Sequence, residues 1–403
     1  MKDNTSNQNQ EGIGDTVAKP SRRYELDWLR VLVILNLIPY HAAWLMVAVP
    51  GFSNIDKQSS GSTILTIYFT FFRQWHMLLL FLIAGVSTCY ALGFRSVREY
   101  VIERIKRLLV PLAFFVAVIS PIGAYFFPDF PGTTEVKSIP DYFTRFWPGF
   151  LQRFPNPKGP PEWAHLWFVG YLFVMSVACL PLFLYLRNDR RKRSISYLAH
   201  LCDRWPIVFI PGILFATVYA TLRVHWPFVY YHALYNDLAY FCYNLIAFIL
   251  GFTICLDGRF WKTIDRHFKI SLVLGVISAA VVFYMQFHMP EFSTPQYTVR
   301  YVVYSTLFGF NTWFWVMGLL GLARRFLPHS NRFLQYFSPA SYPFFVMHLL
   351  PLIAVGYVIV QWRIGLVAEF VMLSLLGFGS TLLIYELLVR RTKVTRFLFG
   401  MKG

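Results

Sequence analysis

The stretch Leu29–Trp44, LRVLVILNLIPYHAAW, is apolar except for Arg30 near its start, Asn36, and His41 near its middle. A guanidinium and an imidazole are costly on a helix built for lipid, and where they occur they mark binding or proton transfer. Eleven helical steps of about 100° make three turns plus roughly 20°, so Arg30 and His41 share one face, about 16 Å apart along the axis. Asp27, three residues before Arg30, falls on the same stripe. The next apolar run, containing FFRQWHMLLLFLIAG, carries Arg73 and His76. Counted from its outer start they lie about 13–18 Å deep, a depth that matches His41. Pro39, next to His41, removes a backbone donor and is expected to open the helix ladder and widen a cavity there.

Other polar groups fall where apolar runs begin or end. PEWAHLWFVGYLF places Glu162, His165 and Trp167 at the outer start of one helix. SPASYPFFVMHLLP places Tyr342 near the inner edge of another and His348 further in, and Glu386 lies near the inner end of the last. Trp167 and Tyr342 read equally as interfacial anchors and as site members. In ERIKRLLVP, Arg104 and Arg107 stand at the mouth of a helix. Paired arginine forks match phosphate oxygens, whereas Arg95, Arg98 and Lys106 read as ordinary loop charge.

These residues have to be positioned by membrane helices. The chain has 403 residues, 56% of them hydrophobic and only 14% charged, with mean hydropathy +0.48. That composition defines an all-α, polytopic membrane protein. At about 20 apolar residues per span, the candidates lie near 29–49, 64–92, 108–127, 163–186, 205–222, 236–256, 270–288, 301–322, 340–361 and 364–389. Most of the 37 basic residues fall in alternate loops. By the positive-inside rule this puts about ten transmembrane helices in place with both termini cytoplasmic. The net charge of +17 is therefore loop charge, and no nucleic-acid partner is expected. Residues 1–23 read as a disordered cytoplasmic tail, 24–396 as one transmembrane domain, and 397–403 as a short cytoplasmic tail. The external loop 128–162 is rich in proline and aromatics and is placed to cover a site from outside. Five scattered cysteines lack metal-ligand spacing, so neither a metal site nor a disulfide framework is expected.

In order along the chain, these blocks resemble acyltransferase family 3, the polytopic membrane acyltransferases. The resemblance rests on Arg30-x10-His41, the glycine-terminated second helix, Arg104-x-x-Arg107 before a proline, HLWF, the histidine of the ninth helix and YELLVRRTKVTRFLFG. It runs from residue 24 over nearly the whole chain and points to the branch that succinylates periplasmic glucans. Relatives often carry arginine at the position of His76. Here Arg73 occurs one turn earlier, so the family's arginine role falls to one or the other.

The resemblance implies a multi-pass enzyme of the cytoplasmic (inner) membrane with no bound cofactor. Acyl-CoA would arrive from the cytoplasm as donor, and a carbohydrate or glycolipid would accept an acetyl, succinyl or similar group outside. His41 would act as general base, and Arg73 or Arg30 would stabilise the oxyanion. Arg104 and Arg107 stand where coenzyme phosphates would arrive. An acyl-histidine intermediate and homo-oligomerisation are both left open. The competing class is a secondary transporter with a polar midplane site. It would call for corresponding halves, and no repeat of fixed period is visible.

Overall fold

Helix α1, Tyr24–Ala48, is apolar on every side because it is buried on nearly every side: Val31, Leu37, Ile38, Ala42, Ala43 and Leu45 are all closed off. The computed structural model describes residues 22–48, 60–120, 140, 144, 163–204, 206–226 and 236–401. The expected N-terminal tail up to residue 21, Glu162 and nearly all of the 128–162 loop lie outside the described residues.

After α1 come α2 (Ser60–Phe94), α3 (Val97–Arg104), α4 (Trp167–Ala178) and α5 (Leu180–Arg187). They are followed by α6 (Asp189–Arg204), α7 (Pro211–Thr221), α8 (Leu238–Leu256), α9 (Gly258–His288) and α10 (Val299–Phe326). The chain closes with α11 (Arg332–Met347), α12 (Leu349–Ile359), α13 (Leu366–Ile384) and α14 (Lys393–Leu398). Among the described residues there is no strand. Exposed Val273, Val276, Ile277 and Tyr284 on α9, and Val367, Leu375 and Leu383 on α13, form apolar outer faces that suit lipid rather than water.

Six helices among the described residues are long and apolar enough to cross a membrane, and nine if each of three bent helix pairs is counted as one span. The remaining expected span, 108–127, leaves the described residues after Ser120. Its first part continues α3 through two π-helical turns, Ile105–Leu109 and Phe115–Ile119. Pro111 has no N–H to offer the Arg107 carbonyl, which explains why the α-ladder gives way at the first of these turns. Three other expectations change in form. The 163–186 run breaks at Cys179 into α4 and α5, bent by 51°. The 205–222 run yields a 3₁₀ turn, Pro206–Phe209, followed by the 11-residue α7, begun by Pro211. The 340–361 run breaks at His348 into α11 and α12, bent by 63°, because Pro351 takes a donor from the Met347 carbonyl and crowds it. Pro39, by contrast, is accommodated inside an unbroken α1.

At the α2–α8 crossing the two backbones come into contact. A Cβ on Gly85 would lie 2.0 Å from the Phe248 carbonyl oxygen, and one on Gly251 would lie 1.9 Å from that of Leu82. Small residues at such crossings let membrane helices pack backbone to backbone. Gly251→Val is therefore expected to push α2 and α8 apart and destabilise the fold by about 1–3 kcal/mol or more. Thermal unfolding in detergent would register this as a lower Tm.

Contacts gather the basic loops at one end of the bundle. Arg324 pairs with Asp265 at 2.6 Å and Glu25 at 3.4 Å, and the Arg23 and Arg324 guanidiniums lie 4.3 and 5.1 Å from the Trp261 ring. Arg187 donates to the Leu92 carbonyl and Arg259 to Ser196. Gly400, at φ +67°, fits its bare Cα against the Tyr342 ring and the Arg107 carbonyl, a place and conformation that suit glycine.

Candidate active site

The α1 stripe and the α11–α12 element run side by side in matching register. At the basic end Arg30 donates to Ser338 Oγ at 3.0 Å, and toward the bundle centre His41 Nδ1 lies 3.1 Å from His348 Nε2. Eleven residues separate the two points on α1, so there both contacts fall on one helix face; on α11–α12 the second contact falls at the bend, His348.

His41 opens onto a cavity of about 80 Å³, room for several waters. Its walls come from six elements: Leu37, Tyr40 and Trp44 of α1; Phe69, Arg73, His76 and Met77 of α2; Ala164, His165 and Trp167 at the start of α4; Tyr240 of α8; Phe345 of α11; and Leu349 of α12. His348 stands behind His41 rather than on the wall. Arg73 and His76 both reach this cavity, with Arg73 over the Phe69 ring at 5.8 Å and His76 against Tyr40 at 4.7 Å.

The hydrogen bonds assign the protons on the imidazoles. Backbone carbonyls only accept, and His348 Nδ1 lies 3.0 Å from those of both Phe344 and Phe345, so Nδ1 carries the hydrogen and Nε2 the lone pair. His41 Nδ1 lies 2.9 Å from the Leu37 carbonyl and 3.1 Å from that lone pair, so it must donate. His41 is thereby left with its basic lone pair on Nε2. His76 Nδ1 donates to the Phe72 carbonyl in the same way. His165 Nε2 donates to the Phe345 carbonyl at 3.0 Å, which leaves its buried Nδ1 without a hydrogen-bond partner. Ring centroids of His165 lie 4.9 Å from His348 and 6.2 Å from His41. Among the described residues no group of three or more His, Cys, Asp or Glu side chains is arranged to hold a metal ion.

The backbone before His165 is strained: Ala164 adopts φ +44°, in the left-handed region. That conformation costs an alanine about 1–2 kcal/mol. It aims His165 from the turn Ala164–Leu166 toward Phe345 and His348.

The other expected site residues gather at the basic end, away from the cavity wall. Asp27 holds Arg30 at 2.7 Å and Arg22 at 2.8 Å. Arg104 donates to Thr88 Oγ1 at 3.1 Å and stacks on Tyr100, while Arg107 lies 3.5 Å from Glu103. Burial lowers the Arg107 pKa from its ordinary value; Glu103 opposes this, and the nearby charges of Arg104, Arg95 and Arg30 add to it. The Tyr342 hydroxyl is buried without a hydrogen-bond partner. Glu386 is set apart, accepting from Tyr336 at 2.5 Å and pairing with Arg390 at 2.9 Å on the π-helical turn Tyr385–Val389.

Sequence reasoning missed the aromatic lining: Tyr40, Trp44, Phe69, Tyr240 and Phe345. Tyr40 was accessible as the neighbour of His41. In a chain that is 19% aromatic, the others carry no distinguishing sequence signal.

Fold and cavity together define a multi-pass helical membrane protein with a polar, imidazole-rich pocket inside the bundle. The pattern of an acyltransferase domain matches residues 23–386, and the chain belongs to acyltransferase family 3. It is 25% identical over 234 residues to the glucans biosynthesis protein C of Shigella dysenteriae serotype 1 (strain Sd197) and, over the same length, to that of Shigella boydii serotype 4 (strain Sb227). Identity to the protein of that name from Escherichia coli (strain K12) is 24%. Each alignment covers 57% of this chain and 57% of the relative, so the chain spans little more than half the length of these curated proteins. No solved structure matches the chain.

Proposed function

We propose that this protein is an O-acyltransferase that moves a short acyl group, acetyl, succinyl or similar, from cytoplasmic acyl-CoA to a hydroxyl of an extracytoplasmic glycan or glycolipid. The observation that carries the proposal is the hydrogen bonding of His41 Nδ1. Leu37 and His348 hold its proton on Nδ1, so a basic Nε2 remains on a cavity wall shared with Arg73.

In the proposed reaction the acceptor oxygen attacks the thioester carbonyl as His41 Nε2 takes its proton. Arg73 lies in the same cavity, where its charge would stabilise the tetrahedral oxyanion. The intermediate collapses by breaking the C–S bond, and the His41 proton goes to the departing thiolate. While His41 is charged, its Nδ1–H bond to His348 strengthens. At the basic end, Arg104 and Arg107 are assigned to the coenzyme phosphates. The names of the glucan-related proteins support a carbohydrate acceptor.

The test is release of free CoA thiol by purified protein in lipid, given acetyl-CoA or succinyl-CoA with a cell-envelope glycan fraction. Acceptor-dependent release would support the reading, and flux of solute without thioester cleavage would replace it with transport. His348→Gln is expected to lower kcat about 10–100-fold with little change in KM, the cost of weakening a hydrogen bond to a charged group. Steady-state kinetics over a range of donor concentrations separates the two constants.

A further inference from the structure

The sequence RNDRRKRSISYLAHLCDR, residues 187–204, plays no part in the proposed chemistry. Its helix α6 meets the bundle along one face: Ala199 and Cys202 are buried, Ser196 accepts from Arg259, and Asp203 pairs with Arg266 at 3.0 Å. At about 100° per residue, Arg190, Arg193, Tyr197, His200 and Arg204 fall within one narrow arc on the opposite side. All five are exposed, Tyr197 at 65%. Leu198, 40% exposed, lies about 80° beyond the Arg190 edge of that arc, on the side that turns toward Cys202. Asp203, the acidic residue of α6 whose side chain is described, is occupied toward the bundle, so nothing described on α6 neutralises the outward charge.

A second observation shows where α6 starts relative to lipid. The preceding α5 exposes Leu182, Leu184 and Tyr185, an apolar surface of the kind that faces acyl chains. Arg191 stacks over Tyr185 at 4.6 Å, so α6 begins where that surface ends. A basic arc that includes an exposed tyrosine, with an exposed leucine further round the helix, at the edge of a lipid-facing wall, is the pattern of a helix lying in the membrane interface.

We propose that the outward face of α6 binds the headgroups of anionic phospholipids in the adjoining leaflet through Arg190, Arg193 and Arg204, with Tyr197 and Leu198 set among the upper acyl carbons. This is independent of acyl transfer. Each basic residue near such a surface contributes appreciably to anionic-lipid preference.

The test is native mass spectrometry of the full-length protein released from nanodiscs of equimolar phosphatidylglycerol and phosphatidylcholine. Wild type should retain phosphatidylglycerol several-fold over phosphatidylcholine. The triple variant Arg190→Gln, Arg193→Gln and Arg204→Gln should lose that preference. A control with equal charge removed from exposed sites at the same end, Lys262→Gln, Arg325→Gln and Arg332→Gln, should keep it. Equal retention in wild type and the α6 variant, or equal loss in the control, would overturn the proposal. Should the triple variant not fold, the single variants Arg190→Gln and Arg193→Gln decide: each should lower the preference, and no change in either would overturn the proposal. Raising salt from about 0.1 to about 1 M shortens electrostatic reach from roughly 10 to 3 Å, and a preference unchanged by it would equally overturn the assignment.

Discussion

Replacing His41 by alanine is expected to reduce CoA release by about 10²–10⁴-fold, the usual contribution of a positioned general base. Within the described structure this imidazole combines cavity exposure with a tautomer imposed by its neighbours. The variant should remain folded, because His41 is half-buried on a wall already open to a cavity rather than packed in the core. Matching Tm values for wild type and variant would show this. The pH dependence provides a second readout: activity in wild type should rise through one ionisation, and that step should vanish in the variant. A fully active His41→Ala would sink the general-base assignment and leave family membership untouched.

Arg73→Ala should lower kcat about 10²–10³-fold, the cost of deleting one oxyanion donor. Arg73 and His76 line the same cavity, so geometry admits either for the positive role and kinetics separates them. His76 Nδ1 donates to the Phe72 carbonyl, and the ring packs on Tyr40. As a neutral ring it presents a lone pair, which cannot stabilise an anion. His76→Ala is accordingly expected to cost less than Arg73→Ala, and Arg73→Lys should recover part of the loss by restoring the charge. If His76→Ala proved the more damaging of the two, the oxyanion role would pass to an imidazolium at His76. Arg30 is a weaker candidate, since its guanidinium is engaged with Asp27 and Ser338 at the basic end.

What the sequence determined by itself is what short-range geometry dictates. Helical periodicity put Arg30 and His41 on one face, and the α11–α12 element meets both along it. Apolar run length revealed the long helices, because a span needs a fixed number of residues whatever its neighbours. The spacing of Arg73 and His76 likewise set them at the depth of His41, and the cavity contains all three.

Only the tertiary structure decided which distant groups meet. That His348 is the residue behind His41 depends on the break at His348, where Pro351 disrupts the ladder and packing sets the bend. Tyr240 and Phe345 reach the cavity from helices roughly 200 and 300 residues away from α1, and no local pattern encodes such pairings. Glu386 looked like a member of the polar set because an acid in an apolar run is rare. The fold instead ties it to Tyr336 and Arg390. Sequence periodicity thus reported which face a residue occupies, whereas packing chose what that face would meet.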